Sequence, residues 1–404
     1  MRTRAALIGL IALASATEAH AACSIRNTVP LKSLSAAFQA WKSATAAMAE
    51  CGDVAVELDQ EFAKKLPQAL ATKPALYQIA GVANDSVVAV LDAGTIRPLD
   101  DLVARYGRDL SPNQLIKLNG KVYVIGMDVN DQSLLYRADI LQQLGIAVPV
   151  TYDELLTAAE KIKQAGVVAY PLGATMKVGW NLAEEFVSMY LGFGGALFGK
   201  DNAPAVNSDA GVKALDMLRK LTSYMDPNYL AADSTTVQQQ MQQGKIALCN
   251  FWSSRAGAMD DAKESTVVGK VNAAKAPAAM PGGKPATTLW WDGAAIAANT
   301  TEEQADAAFR VVVAGLSAEM VAAHNDDVIW LVKGYKPGRL AQGGIASLQA
   351  GAPPYPVSAR MQVLHTALGA NLGDFFTGKL TAPQALAASE AAYRTAAKEA
   401  GLLN

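Results

Sequence analysis

Apolar and polar positions alternate in short runs and recur at helical spacing in longer ones, and the two patterns interleave along the chain. A strand-like run at 54–58 precedes a helical pattern at 60–72, and one at 75–80 precedes a helical pattern from near Asn84; a third run lies at 121–128. Period 2 is typical of half-buried strands and period 3.6 of helices packed on a core. The order predicts an α/β fold built on mostly parallel sheets flanked by helices.

Several residues favour helix ends. Thr151 followed three residues later by Glu154 has the pattern of a capping box, and Gly166 suits the left-handed position after a helix. Ser208 and Thr381 are predicted to begin two further helices.

The chain of 404 residues is too long for one core, because cores rarely grow beyond about 250–300 residues. No Pro- or Ser-rich linker divides it, so we expect two lobes built from interleaved segments, with crossings near 126–131, 279–288 and 326–337. The predicted organisation is a signal peptide at 1–21, an N-terminal lobe at 22–128 and 290–328, and a C-terminal lobe at 129–289 and 329–404.

The first residues have the pattern of an export signal. Arg2 and Arg4 precede an apolar stretch, and Ala19 and Ala21 are the small residues that a signal peptidase needs, so we expect cleavage after Ala21 and a periplasmic protein. Lipid anchoring at Cys23 is the competing interpretation, which His20 disfavours.

Three cysteines remain after cleavage. Cys23 and Cys51 each precede a predicted strand, and two parallel strands joined by one helix begin at the same sheet edge, which predicts a disulfide between them. Cys249 lies in an apolar run and is predicted to be a buried free thiol.

Composition excludes several classes of function. The net charge of −2 and the absence of a basic cluster disfavour nucleic acid as a partner. Only two histidines follow the signal segment, and no hydrolase, phosphate-binding or paired-cysteine motif occurs, so we expect no catalytic residue, no metal site and no cofactor. The acidic pair Glu184 and Glu185 is expected at the solvated surface.

Two adjacent tryptophans, Trp290 and Trp291, precede Asp292 and Gly293. On a strand they point to opposite faces, so one can pack inward while the other lines a cleft. We expect Trp291 to face the cleft because it adjoins Asp292, and core packing of both rings is the alternative.

The chain resembles the extracellular solute-binding proteins of ABC sugar importers. The resemblance rests on LLYRADILQQLGIAVPVTYDELLTAAEKIK at 134–163, VQQQMQQGKIALCNFW at 237–252, and GWNLAEEFVSMYLGFGGALF at 179–198. It implies two α/β lobes that close like a hinged trap on a sugar or polyol, and delivery of that ligand to the permease subunits of an ABC importer in the inner membrane. We expect a monomer.

The resemblance also implies site residues. Flat indole faces with polar groups at their rims suit a sugar, which has apolar C–H patches and a ring of hydroxyls. The candidate ligand-binding residues are Trp180, Trp252, Trp290, Trp291, Asp292, Asn84, Asp85, Asp128, Asn130, Asp131 and Arg360. Helix capping, turn formation or core packing is the alternative role for each.

The function expected from these features is capture of a sugar or polyol for import. Three alternatives stay open: an anionic sugar or small organic anion, with Arg255 and Arg360 as counter-charges; a receptor-coupled periplasmic sensor; and a secreted carbohydrate-active enzyme.

Overall fold

The computed structural model describes residues 26–403. Its strands are β1 Asn27–Ala36, β2 Gly52–Asp59, β3 Ile79–Ala83, β4 Leu115–Leu118, β5 Lys121–Asn130, β6 Gln132–Arg137, β7 Tyr170–Gly173, β8 Ile246–Trp252, β9 Val271–Ala274, β10 Trp290–Ile296 and β11 Ile329–Trp330.

The helices alternate with the strands through most of the chain. They are α1 Gln39–Glu50, α2 Phe62–Ala71, α3 Val87–Asp92, α4 Asp100–Tyr106, α5 Ala138–Gln143, α6 Tyr152–Ala165, α7 Trp180–Gly192, α8 Asp209–Thr222, α9 Ser234–Gln242, α10 Glu302–Gly315, α11 Ala318–Ala323, α12 Gln342–Gln349, α13 Ala359–Asn371, α14 Gly373–Phe376 and α15 Ala382–Glu399.

Two sheets define two lobes. The larger sheet has the order β11-β5-β10-β3-β1-β2, with β4 also paired to β5, and the smaller has the order β7-β8-β6-β9. Helices α1 and α10 pack on one face of the larger sheet, while α2 and α3 contribute to a second core on the other face. The smaller sheet shares one continuous core with α6, α7, α8, α13 and α15. The two-lobed α/β fold is therefore confirmed.

Strand direction differs from the mostly parallel pairing expected. In the larger sheet β1 is parallel to β2 and β3, whereas β10 is antiparallel to β3 and β5, and β11 and β4 are antiparallel to β5. The cause is that the chain crosses from one lobe to the other and back. Strand β5 runs toward the other lobe and β10 returns from it, so Trp290 pairs with Asn130 and the strands meet in opposite directions.

The chain passes between the lobes in three segments within residues 26–403. Only Asp131 separates β5 from β6, residues 275–289 connect β9 to β10, and residues 331–341 connect β11 to α12, which packs on the smaller sheet. We therefore propose lobe boundaries after residues 130, 289 and 330, where the sequence alone gave 128, 289 and 328.

Local signals in the sequence account for most helix ends. The Thr151 hydroxyl accepts a hydrogen bond from the Glu154 backbone amide, Gly166 has φ 64°, and Ser208 caps α8.

The third strand begins later in the chain than the run at 75–80 that predicted it. Leu76 is 48% exposed, and the all-buried residues 79–83 form the central strand instead, because the cores on the two sides of the larger sheet cover both of its faces.

Cys249 is buried and free, as predicted. Cys51 is buried at the start of β2, where its carbonyl accepts a hydrogen bond from the Asn27 amide. The predicted signal peptide, its cleavage site and Cys23 lie outside the described residues, so the disulfide remains a prediction. Within residues 26–403, no helix combines the length and apolar character needed to cross a membrane.

Candidate functional site

A cavity of about 510 Å³ lies between the two lobes. The N-terminal lobe contributes Ala36, Phe38, Gln60, Glu61, Phe62, Ala63, Lys64, Ala83 and Asp85; the C-terminal lobe contributes Lys177, Trp180, Asn181, Asp233, Ser234, Thr235, Trp252, Ser254 and Arg255; and the crossing strands contribute Asn130, Trp290 and Asp292. Its volume is in the range of small-molecule sites, about 300–1,000 Å³.

Three tryptophans from three elements meet at this cavity. Trp180 is the first residue of α7, Trp252 the last of β8, and Trp290 the first of β10. The ring centroids of Trp180 lie 6.1 Å from those of Trp252 and 5.4 Å from those of Trp290, and Trp252 and Trp290 meet edge to face at 5.9 Å. Trp180 is 41% exposed while the other two are buried, so Trp180 offers a ligand the widest aromatic face.

Trp290, and not the expected Trp291, faces the cleft. Side chains on a strand alternate, so Trp290 and Asp292 share the cavity face while Trp291 points away. The Trp291 ring packs on the opposite core of the larger sheet, and its backbone amide donates to Asn84 Oδ1 at 2.8 Å. The expectation was wrong because adjacency to Asp292 argues for the opposite face, not the same one.

Buried polar groups fix the Trp290 ring from behind. The ring stacks on Tyr355 with centroids 4.0 Å apart, and its Nε1 donates to Thr288 Oγ1 at 2.9 Å and to Glu184 Oε1 at 3.3 Å. Burial raises the pKa of Glu184 to about 8, so the carboxyl is largely protonated at neutral pH. An indole held on both its face and its N–H is rigid before a ligand arrives.

The acidic pair on α7 is buried, contrary to the surface position expected. Glu185 Oε1 accepts hydrogen bonds from the Gln132 side chain at 2.9 Å and from the hydroxyl and amide of Thr175. Glu184 and Glu185 are 1% and 4% exposed, because α7 is covered by the smaller sheet, α8 and α13. Burial raises the pKa of Glu185 as well.

A histidine that the sequence did not single out holds Trp180 in place. The His365 ring lies 5.1 Å from the Trp180 ring, and its Nε2 is 2.9 Å from the Trp180 carbonyl oxygen. Since a carbonyl only accepts, Nε2 carries the proton and Nδ1 accepts from the Tyr355 hydroxyl at 2.8 Å. Burial lowers the pKa of His365 to about 4, so the ring is neutral.

Three carboxyl groups lie side by side where the crossing strands leave the larger sheet. Asp292 pairs with Asp128 across β10 and β5, and Asp85 follows β3. Asp85 and Asp292 line the cavity, and Asp85 Oδ2 accepts from Trp180 Nε1 at 3.1 Å, joining the two lobes. Asp128 lies behind them, fully buried, with neither carboxyl oxygen in a hydrogen bond.

The remaining amide and acid candidates form hydrogen bonds within and beside the crossing. Asn130 lines the cavity, and its Oδ1 accepts from the amides of Asp131 and Ser254. Asn84 lies behind the site, where its Nδ2 donates to the Tyr355 carbonyl at 3.4 Å. Asp131 accepts from the Ser253 hydroxyl at 2.6 Å within the crossing, and it does not line the cavity.

Arg360 is not brought to the cleft. Its Nε donates to the Leu402 carbonyl at 3.3 Å, beside the last helix. Arg255 does line the cavity, and its Nη1 donates to Gln238 Oε1 at 3.1 Å. Of the two arginines that the anionic-ligand alternative required, only Arg255 therefore lines the cavity.

The structure thus brings together Asp85, Asn130, Trp180, Trp252, Trp290 and Asp292 from the expected set, and leaves Asn84, Asp128, Asp131 and Trp291 outside the lining. In the described part of the chain, no cluster of three or more His, Cys, Asp or Glu side chains is arranged to hold a metal ion.

Comparison with known proteins agrees with the fold. The model of the bacterial extracellular solute-binding protein family matches residues 31–322. A probable sugar-binding periplasmic protein of Mesorhizobium japonicum is 31% identical over 152 residues, which are 35% of this chain and 36% of that protein. An uncharacterized ABC transporter extracellular-binding protein of Pyrococcus horikoshii is 25% identical over 153 residues, 35% of this chain and 34% of that protein. The chain thus matches about a third of the length of these two curated relatives.

Solved structures share the fold over almost the whole chain. An ABC transporter solute-binding protein of Agrobacterium radiobacter in complex with ribitol has a TM-score of 0.80 at 22% identity, covering 91% of this chain and 98% of its own. One of Agrobacterium vitis with bound D-mannitol has a TM-score of 0.77 at 21% identity, covering 93% and 99%. A maltose-bound protein of T. maritima has a TM-score of 0.77 at 17% identity, covering 92% and 100%.

Proposed function

Because this chain belongs to the bacterial extracellular solute-binding protein family, we propose that it captures a sugar or polyol in the interlobe cleft and delivers it to the permease of an ABC importer. The observation that carries the proposal is the Trp180 face, exposed in a cavity of about 510 Å³ and bordered by Asp85, Asn130 and Asp292. An indole plate covers the C–H face of a sugar while acids and amides bond its hydroxyls.

Both lobes contribute to the ligand's surroundings. Trp180 and Arg255 belong to the C-terminal lobe, Asp85 to the N-terminal lobe, and Asp292 to a strand that enters from the crossing. A ligand that contacts both lobes at once stabilises the arrangement in which they are close, and so shifts the open-to-closed equilibrium. That shift is the signal which a permease would read.

The proposal includes several finer points. The protein acts in the periplasm after removal of residues 1–21, as a monomer, with a disulfide between Cys23 and Cys51, and without catalysing a reaction on its ligand. Support for the location comes from the family, whose description is extracellular, and from the export pattern of the first residues.

A thermal-shift screen over monosaccharides, disaccharides, linear polyols and sugar acids tests the proposal. A ligand at 100 times its dissociation constant stabilises the folded state by about 2.7 kcal/mol, which is a readily measured shift in Tm. We expect stabilisation by at least one neutral sugar or polyol. A screen in which only sugar acids stabilise would favour the anionic alternative, and turnover of a glycoside would overturn the binding role.

A further inference from the structure

Within the described part of the chain, no cation pairs with the carboxyl groups at the crossing. Among residues 26–403, none of Asp85, Asp128 and Asp292 takes part in an ion pair. Asp292 is 8% exposed, and what remains of its surface lines the cavity. A buried carboxylate that faces a cavity without a cationic partner is costly, so the group takes up a proton unless a ligand supplies the partner.

Most of the other charged side chains that line the cavity form ion pairs with each other. Glu61 pairs with Lys64, and Lys177 pairs with Asp233 at 3.2 Å. Arg255 is the remaining cation of the lining, and it follows β8 in the C-terminal lobe, where Gln238 holds it. The cleft therefore has an acidic side at the crossing and a guanidinium in the C-terminal lobe.

The burial of this group of acids has a measurable consequence. Burial, with the neighbouring Asp85 adding to it, raises the pKa of Asp292 to about 7, and the nearby Trp41 indole lowers it in part. Burial and the charge of Asp292 also raise the pKa of Asp128. Asp85 thus makes ionisation of Asp292 more difficult, and Asp292 makes ionisation of Asp128 more difficult.

A protonated amine meets these conditions better than a hydroxyl does. An ammonium group provides three donors and a full positive charge, whereas a hydroxyl provides one donor and no charge. The adjoining Trp180 face also favours a cation, through its quadrupole. A metal ion is not the expected occupant, since the three acids do not form a metal-binding group.

We infer that the ligand is a sugar or polyol bearing a protonated amine, with the ammonium group placed between Asp85 and Asp292 and the hydroxylated remainder lying on Trp180 toward Arg255. This rests on the proposed function, because it assigns the chemistry of the same cleft. Asp128 lies behind Asp292 and does not touch the ligand.

Calorimetric titration of the full mature chain with matched pairs tests the inference. The pairs are D-glucamine with D-glucitol and D-glucosamine with D-glucose, each differing in one amine for one hydroxyl. At pH 7.5 we expect at least one amine to bind about tenfold more tightly than its alcohol, the size of one charge-assisted hydrogen bond. Repeating the D-glucamine titration in buffers of different ionisation enthalpy should reveal proton release, because this amine is already protonated at pH 7.5 and Asp292 gives up its proton as the ammonium group binds.

Asp292→Asn should reduce the preference for the amine by about tenfold, and Asp85→Asn provides a second variant if the first fails to fold. The exposed acid Asp216 on α8 serves as the matched control, since Asp216→Asn should leave the preference intact. Alcohols that bind as tightly as their amines would overturn the inference and leave the proposed function standing. If neither pair nor any sugar in the wider screen binds, the proposed function itself fails.

Discussion

At the scale of single residues, the cleft depends on side chains that are fixed before a ligand arrives. Trp290 is held by Tyr355, Thr288 and Glu184, and Trp180 is held by His365 and Asp85. A ligand that meets rigid aromatic faces loses less ordering entropy than one that must arrange them, which raises affinity without adding contacts.

Trp180→Ala should weaken ligand binding at least about tenfold, because it removes the most exposed aromatic face of the cleft. Stability should fall less than for a fully buried tryptophan, since Trp180 is 41% exposed. The matched control is Trp291→Phe, on the face of β10 that points away from the cavity, which should leave affinity unchanged. Calorimetric titration with the best ligand from the screen measures both, and equal affinities in wild type and Trp180→Ala would contradict the assigned role.

Glu184→Gln should keep ligand affinity and flatten the pH dependence of stability. A carboxyl whose folded pKa is raised from 4.5 to about 8 stabilises the fold below its unfolded pKa, and that stability is lost as pH rises from about 4.5 through 8. Glutamine mimics the protonated acid and accepts the same hydrogen bonds from Thr288 and Trp290. Tm measured at pH 5 and at pH 8 should therefore fall less in the variant, by a few degrees. Identical pH profiles would show that Glu184 does not titrate as described.

At the scale of elements, chain direction decides which side chains reach the cleft. Strands β5, β8 and β10 all end or begin beside it, and α7 begins there immediately after Gly179, whose φ of 108° is open to glycine and strained for other residues. The start of α7 therefore sets the position of Trp180.

Gly179→Ala should cost roughly 1–3 kcal/mol of stability and also weaken ligand binding, because relief of the strain moves the first turn of α7. Gly166→Ala is the matched control: Gly166 also has positive φ and open space around it, but it ends α6, away from the cavity. Both variants should lower Tm, and only Gly179→Ala should lower affinity. A loss of affinity in both would point to a general loss of structure.

The sequence predicted some parts of this site and missed others for identifiable physical reasons. Capping residues and period 2 are local, so the ends of α6 and α8 and the opposite faces of Trp290 and Trp291 follow from the chain itself. Which of those two faces meets the cleft depends on the partners of β10, and these come from distant segments. The burial of Glu184 and the contact of His365 with Trp180 depend in the same way on how α7 packs against α13.

At the scale of the whole molecule, three crossings join two lobes, which is the arrangement of a hinged protein. Beside the crossing the lobes contact each other through the bond between the Trp180 indole and Asp85 and the bond between the Gln362 side chain and the Asp85 carbonyl. Binding that engages both lobes should reduce the radius of gyration in small-angle scattering. An unchanged radius at saturating ligand would contradict closure while leaving binding intact.

The structure of the protein crystallised with its best ligand is the most direct test of the central claim. The account predicts density between the lobes, with the carbon skeleton against the Trp180 face and polar groups within hydrogen-bond distance of Asp85 and Asp292. A ligand bound outside this cavity, or bound within it without contact to Trp180, would contradict the account.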